Sequence, residues 1–375
     1  MIQINRNFCG GAIEVIAADK IDDIKLNIPK DNQSCTRQWF YFAVETDQPE
    51  THGIKLVNAG KVTFDKAWQG YCVFVSYDND TWFTLPTTFD GKSLVIEHNS
   101  VASVTYYAYF VPYSLERQLA LEERLSQNKH FELSNIATTL NGNQVTMFSI
   151  GDMQAHKKNV WLIARQHPGE SMAQWISEGI VNELSDIERH QGLFDNVNVF
   201  VVMNMNPDGS QIGNHRTNAQ GKNLNRCWSE PSALECPEVF SVQREMKEKG
   251  VDFFIDIHGD ETIPYNFIMN NSRDDVGALF KRKLADKDPR FQLKYDYATY
   301  QNSCSSACGV SSCGAGKTAT AFISETFEAT SLLLEASFKP LKNRPDTECW
   351  NHTSCTELGH NIARVLSNLF TGLDK

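Results

Sequence analysis

Positive charge is what this chain is short of. Its 35 lysines and arginines stand against 46 aspartates and glutamates, a net charge of −11. A binder of nucleic acid or of an anionic membrane surface needs the opposite balance, so neither is expected as a partner. Long apolar runs are missing too: nothing approaches the roughly 20 residues that cross a bilayer. The opening stretch, MIQINRNFCGGAIEVIAADK, lacks the charged start and apolar segment of an export signal, and the expected compartment is the cytoplasm. Internal repeats and low-complexity tracts are absent, and the composition excludes a disordered chain. Ten cysteines are present but scattered, with no pair at C-x-x-C spacing. Without an export signal they read as reduced thiols rather than a disulfide framework.

What is there suits a globular protein. The chain has 375 residues, 41% hydrophobic and 22% charged. At roughly 100–200 residues per domain that is room for two or three domains. The first hundred or so residues read as β. Segments such as QWFYFAV (Gln38–Val44), YCVFVSY (Tyr71–Tyr77), SLVIEH (Ser93–His98) and VTYYAYFV (Val104–Val111) are rich in β-branched and aromatic residues and are broken by polar turns. This pattern predicts an antiparallel β-sandwich over residues 1–112, its aromatics packed in the core. After Pro112 the pattern changes. A helix over Ser114–Ser126 is followed by apolar strands alternating with amphipathic helices, through NVWLIAR (Asn159–Arg165), NVFVVMNM (Asn198–Met205), VDFFIDIH (Val251–His258) and SLLLEASF (Ser331–Phe338). Residues 113–375 are thus expected to form an α/β domain, a mostly parallel mixed sheet flanked by helices. Ligands on such sheets sit beyond the carboxyl ends of the strands.

Chemistry is concentrated at those ends. NVWLIARQ runs into HPGE, which puts His167 at a strand end and Glu170 three residues on, across a tight Pro-Gly turn. VDFFIDIHG ends likewise at His258. Two imidazoles and one carboxylate fit Zn²⁺ with a coordination position left for water. HGDE repeats the His-to-acid spacing, so Glu261 is a rival to Glu170, which is preferred because its turn leads into a helix start. The H-E-x-x-H pattern is absent. Between the two histidine strands lies a long Gly- and Asn-rich loop, Met205–Trp228, carrying Arg216, Asn225 and Arg226. Guanidinium groups there match a carboxylate; ordinary surface ion pairs are the alternative.

HPGE, NPDG, GNHR, NLNR, DIHGD and LLLEASFKP occur in the order found in zinc carboxypeptidases, which this chain resembles. The wording is most similar to the cytosolic carboxypeptidase branch, whose small β domain QWFYFAV and YFVPYS also resemble. The resemblance implies His167, Glu170 and His258 as ligands of one Zn²⁺. Arg216 matches the residue that polarises the scissile carbonyl, and Asn225 with Arg226 the pair that binds the terminal carboxylate. For the general base, Glu335 in LLLEASF and Glu325 in FISETFE compete. Glu335 is chosen because it follows an apolar strand and precedes Phe-Lys, with Glu325 expected on a helix. The substrate-capping tyrosine has no secure match, Tyr297 and Tyr300 being candidates. The implied activity is hydrolysis of the last residue from peptides or proteins with free C-termini. A preference for acidic (glutamate) ends would draw on Arg165, Lys222, Lys317 and Lys339.

Three other readings are weighed. Cys304, Cys308 and Cys313 offer three-quarters of a structural zinc site, but their spacings favour packed thiols. Ser311–Thr318 resembles a nucleotide-binding P-loop without its first glycine or a preceding apolar strand. A non-catalytic binder of peptide C-termini on the same fold would require a lost ligand or base, and every motif position is filled.

Overall fold

The computed structural model describes residues 2–270, 275–300, 316–344 and 350–371. Its first hundred residues form strands β1 (Gln3–Asn5), β2 (Glu14–Ala17), β3 (Ile24–Asn27), β4 (Tyr41–Glu45), β5 (Thr51–Leu56), β6 (Cys72–Ser76), β7 (Trp82–Pro86), β8 (Thr88–Phe89), β9 (Leu94–Asn99) and β10 (Val104–Ala108). They make two five-stranded sheets, in the orders β1-β4-β10-β6-β7 and β2-β3-β5-β9-β8. The alternation that predicted strands is visible in β9, where Leu94, Ile96 and His98 are buried and Glu97 and Asn99 exposed. Tyr107 of β10 reaches across to His52 of β5 and His98 of β9, so the two sheets meet face to face. The sandwich is antiparallel except at one pair, β3 with β5.

The rest of the chain adds α1 (Leu115–Ser126), β11 (Phe131–Thr138), β12 (Gln144–Ile150), β13 (Lys158–Ala164), α2 (Ser171–Leu184), α3 (Gln191–Asn196), β14 (Val197–Val202), α4 (Pro207–Ile212), α5 (Pro237–Lys249), β15 (Phe253–Asp260), β16 (Phe267–Asn270), α6 (Asp275–Lys287), α7 (Ala319–Phe327), β17 (Thr330–Ser337) and α8 (His352–Thr371). Its sheet has the order β11-β12-β14-β13-β15-β17-β16. The four central strands are parallel, and the strands added outside them are antiparallel. Alternate residues of β13 serve two cores. Val160, Leu162 and Ala164 pack with Ile176 and Ile180 of α2 and Leu358 of α8. Trp161 and Ile163 pack with Val239 and Val242 of α5 and Phe322 of α7. Each such fully buried valine, leucine, isoleucine or phenylalanine side chain contributes about 1.5–3 kcal/mol over an exposed one, which fixes the register and so the position of the strand ends.

The sandwich does not stand apart. Tyr109 and Phe110, just past β10, lie against Phe338 at the end of β17, with ring centroids 4.6 and 6.0 Å apart. One hydrophobic core runs from the sandwich into the α/β sheet. Among the described residues no helix is long and apolar enough to cross a membrane.

Candidate metal centre and peptide site

The parallel centre of the sheet brings three strand ends together. β13 and β15 are neighbours, and β17 lies beside β15 with Glu335 directly opposite His258. Past β13 the chain turns sharply. Arg165 takes a left-handed backbone (φ 59°), and its buried guanidinium donates to the carbonyls of Pro168 and Tyr113 and to the Gln174 side chain, bracing the His167–Glu170 turn from beneath. Gly169 is required by close approach: a Cβ there would meet the His215 ring nitrogen at 2.5 Å.

His167, Glu170 and His258 form one group of potential metal ligands, the one found among the described residues, with ligand atoms within 4.8 Å of one another. Glu170 divides its carboxylate, Oε1 lying 2.7 Å from His167 Nδ1 and Oε2 2.8 Å from His258 Nδ1. The two Nδ1 atoms approach to 3.1 Å. Tetrahedral zinc with bonds near 2.0–2.1 Å sets its ligands about 3.3 Å apart, so an opening of a few tenths of an ångström admits the ion. Two neutral-capable nitrogens and a carboxylate are the donor set zinc takes, and the residues present fit the metal.

Charges inside the cluster are lopsided. Burial, then the Arg216 charge, push His167 down to about 3. Burial opposes the charge on His258, but Asp256 and then Glu170 outweigh it and hold the imidazolium well above its ordinary value. Burial also raises Glu170, yet His167 and His258 bring it below the usual carboxylate range. A divalent cation would compete with protons for the same lone pairs.

Outer partners orient both rings, as at metal sites generally. Asp256 Oδ1 lies 3.0 Å from His258 Nε2, and Gln166 Nε2 donates to Asp256 Oδ2 at 2.7 Å. Trp228 Nε1 in turn donates to Gln166 Oε1 at 2.8 Å. Asn223 Oδ1 is 3.0 Å from His167 Nε2. Asp256, Gln166 and Asn223 were not singled out in the sequence. Asp256 was within reach, because i and i+2 on a strand share a face.

Glu335 is buried beside this group, with Oε1 accepting from Tyr297 Oη at 2.8 Å and Oε2 lacking a partner among the described residues. Burial pushes its carboxyl well above the ordinary range; His258 works against the rise, while Glu170 and Asp260 add to it. Glu325 sits on α7, exposed, paired with Lys317. Glu261 is not in the ligand group: its Oε1 lies 2.6 Å from His215 Nε2. Of the two tyrosines, Tyr297 touches Glu335, whereas Tyr300 packs with Tyr265 and Tyr295.

Arg216 lies buried, its Nε without a partner among the described residues and its guanidinium carbon 5.8 Å from the Phe64 ring centroid. Arg226 donates to the Asn225 carbonyl, and its pKa is lowered by burial and by the Arg216 charge. Two guanidiniums near enough for one charge to lower the pKa of the other favour a bound anion. Asn225 Oδ1 accepts from Ala319 N at 2.9 Å, which ties this segment to the start of α7.

The basic residues named for an acidic substrate are engaged elsewhere. Arg165 braces the turn, Lys222 pairs with Glu235 at 2.9 Å, and Lys317 pairs with Glu325. Lys339 is buried against the carbonyls of Lys66 and Thr262. Cys304, Cys308 and Cys313 lie outside the described residues, as does the P-loop-like segment up to Ala315.

A family model for zinc carboxypeptidases matches residues 120–324, and one for the cytosolic carboxypeptidase N-terminal domain matches residues 4–110. The chain belongs to the zinc carboxypeptidase family. Solved relatives share both parts. A metallo-carboxypeptidase of Burkholderia cenocepacia is 35% identical, with a TM-score of 0.91 over 100% of both chains. One from Pseudomonas aeruginosa, in complex with (2-guanidinoethylmercapto)succinic acid, is 34% identical, with a TM-score of 0.87 over 98% of each. Cytosolic carboxypeptidase 6 of Caenorhabditis elegans is 25% identical over 63% of this chain, which spans 57% of that protein. The expected fold, an all-β sandwich ahead of a mixed α/β sheet, is the fold this chain shares with the Burkholderia and Pseudomonas structures.

Proposed function

We propose that the protein is a zinc-dependent exopeptidase that removes the C-terminal residue from peptides or proteins, with His167, Glu170 and His258 as the metal ligands. The observation that carries this reading is their convergence on one point, with Glu335 in register beside His258. Zinc held there supplies a water of pKa near ~7 and a Lewis acid for the scissile carbonyl. The chain's own residues do the rest. Glu335, with an unpartnered buried oxygen, takes a proton and returns it to the leaving amine. It lies beyond the residues matched by the family model, so its role rests on its position. Arg216 faces the negative charge that develops on the carbonyl oxygen. Arg226 and Asn225 receive the terminal carboxylate, and a blocked end would leave the pocket's cations without an anion.

The substituted succinic acid bound by the Pseudomonas relative supports a pocket that reads carboxylates. For an acidic last side chain the best-placed cation is Lys317, since Gly316 packs on the Arg226 carbonyl and Lys317 holds Glu325 through an exposed pair. Such a pair is worth about 0–1 kcal/mol and yields readily to a substrate. The cytosolic relatives support a cytoplasmic site of action.

The test is a peptide panel varying the last residue, each member free and amidated, with and without a zinc chelator. Hydrolysis of free ends should stop with chelator and return with zinc, and amidated ends should react at least about a hundredfold more slowly. Chelator-insensitive cleavage, or equal rates on amidated peptides, overturns the reading. Tight binding without turnover points to a C-terminus-binding protein instead. Equal rates on Glu- and Leu-ended peptides remove the acidic preference.

A further inference from the structure

The loop that carries Arg216 is held by more than the sheet from which it emerges. Its neighbours on both sides are pinned by groups remote in the chain. The amides of three consecutive residues, His215, Arg216 and Thr217, converge on the carboxylate of Asp31, which lies in the sandwich between β3 and β4. His215 N donates to Oδ1 at 2.7 Å, Arg216 N and Thr217 N donate to Oδ2 at 2.8 and 3.0 Å, and Thr217 Oγ1 donates to Oδ2 at 3.1 Å. Successive amides gathered on one anion form a concave nest. Here the anion is supplied by the other half of the protein.

Asp31 is itself fixed. Its amide donates to Thr36 O at 2.8 Å, and the next residue, Asn32, donates from its amide to Asn214 Oδ1 at 3.1 Å. A Cβ on Gly221 would meet the Gln33 carbonyl oxygen at 2.4 Å, so the two loops are in close backbone contact. From the other side His215 closes the arrangement. Its carbonyl accepts from Gly169 N at 2.9 Å, in the turn between His167 and Glu170, and its ring lies 2.6 Å from Glu261, three residues beyond His258. Arg216 therefore sits between two residues locked to Asp31, in a loop also keyed to both histidine turns. Among the described residues its own Nε has no hydrogen-bond partner, so the placement of the guanidinium depends on where the backbone starts the side chain and on the Phe64 ring 5.8 Å away.

We infer that Asp31 is a positioning residue for Arg216: the sandwich completes the active site by supplying the carboxylate that sets the aim of the guanidinium. This rests on the carboxypeptidase reading of Arg216. An asparagine at 31 keeps the shape but turns an NH₂ group towards amide donors, so the nest loses one face.

Two single variants and their double, in the full-length zinc-loaded enzyme, decide the matter. Arg216→Ala should lower kcat. Asp31→Asn should lower kcat on the order of tens of fold, since displacement by about 1 Å of a group meeting the transition state can cost 10²-fold. It should leave one zinc per chain and change KM by less than about threefold, because interactions made in the transition state alone fall on kcat. In the Arg216→Ala background, Asp31→Asn should lower kcat no further. A loss of equal size in both backgrounds overturns the inference, since Asp31 would then act on the fold or the metal. Wild-type kcat in Asp31→Asn with a reduced kcat in Arg216→Ala overturns the inference alone. Full activity in Arg216→Ala overturns the role of Arg216 and the inference with it. Should Asp31→Asn fail to fold, Thr217→Val, which removes the hydroxyl donor alone, gives the same comparison, with about a two- to fivefold loss expected in place of the larger one and additivity with Arg216→Ala again overturning it.

Discussion

Two pairs of buried histidines sit in this molecule, one in each half, and they do opposite things. In the sandwich, His52 and His98 share the Tyr107 hydroxyl, at 2.7 and 2.8 Å, and Tyr77 Oη meets His98 Nε2 at 3.0 Å. Burial lowers the pKa of both, with the His98 charge adding to the effect on His52, which is driven down to about 4. Phenols meet three of the four ring nitrogens, His52 Nε2 standing without a partner among the described residues, and the surroundings favour both rings as neutral groups. In the α/β half, His167 and His258 turn their Nδ1 atoms towards each other across a split carboxylate, and a second carboxylate, Asp256, stands behind His258. That arrangement has the donor set that a divalent cation would close. Burial of an imidazole therefore does not distinguish a candidate ligand from a packing residue, and neither does one carboxylate beside it, since His215 has Glu261; the convergence of a second imidazole on the same carboxylate does.

The comparison breaks most easily at the ligands. His258→Ala should leave less than one zinc per chain by elemental analysis and lower kcat/KM on the order of 10³-fold or more, the equivalent of several kcal/mol of transition-state stabilisation. His98→Phe should keep the metal and activity within about twofold. A His258→Ala protein that retains zinc would dissolve the contrast. Next in size is the base. Glu335→Gln should cost about 10²–10⁴-fold in kcat with zinc retained, while Glu325→Gln, on the exposed face of α7, should cost nothing. The reverse result would move the base to the helix.

Much of this site was legible because its signals are local. HPGE and DIHG sit at the ends of apolar strands, so two candidate ligand positions follow from patterning, and the apolar run before Glu335 separates it from Glu325. The rest was not, for a physical reason: the sequence displays a charge but not the group that neutralises it. Arg165 looked like a substrate residue and is a brace under the metal turn, and Lys339 is buried on backbone carbonyls. Asp31 lies 184 residues from His215, and nothing in its own segment marks the contact. Strands β1 and β2 and the edge strand β11 were missed because their faces are partly exposed and the hydrophobic alternation is weak. The parallel pairing of β3 with β5 was missed because strand direction within a sandwich leaves no mark on a six-residue pattern.

A smaller effect sharpens the contrast at Asp256. If the carboxylate behind His258 makes it a ligand, Asp256→Asn should weaken zinc affinity about 10–100-fold, the usual consequence of losing an outer partner. The measurement is a competition titration with a chromogenic chelator. Saturating zinc should restore most of the activity, because the asparagine still accepts from Gln166 Nε2 and leaves the ligands in place. Unchanged affinity would mean that Glu170 alone accounts for the state of His258.

The smallest effect lies in the sandwich and depends on pH. His52→Phe removes one hydrogen bond to Tyr107, which keeps its other bond to His98, so at pH 7.5 the cost is about 1 kcal/mol in urea unfolding. On acidification the two proteins should converge. The folded pKa of His52, about 4, lies below the value near 6.5 for an unfolded chain, so the unfolded state takes up the proton first and wild-type stability falls as pH drops through that window. The phenylalanine variant has no such proton at position 52. Its stability deficit should therefore be largest near neutrality and shrink towards pH 5, with peptidase activity at pH 7.5 unaltered. A deficit that grows on acidification would show that His52 is charged in the folded protein, and the two histidine pairs would then be more alike than their surroundings imply.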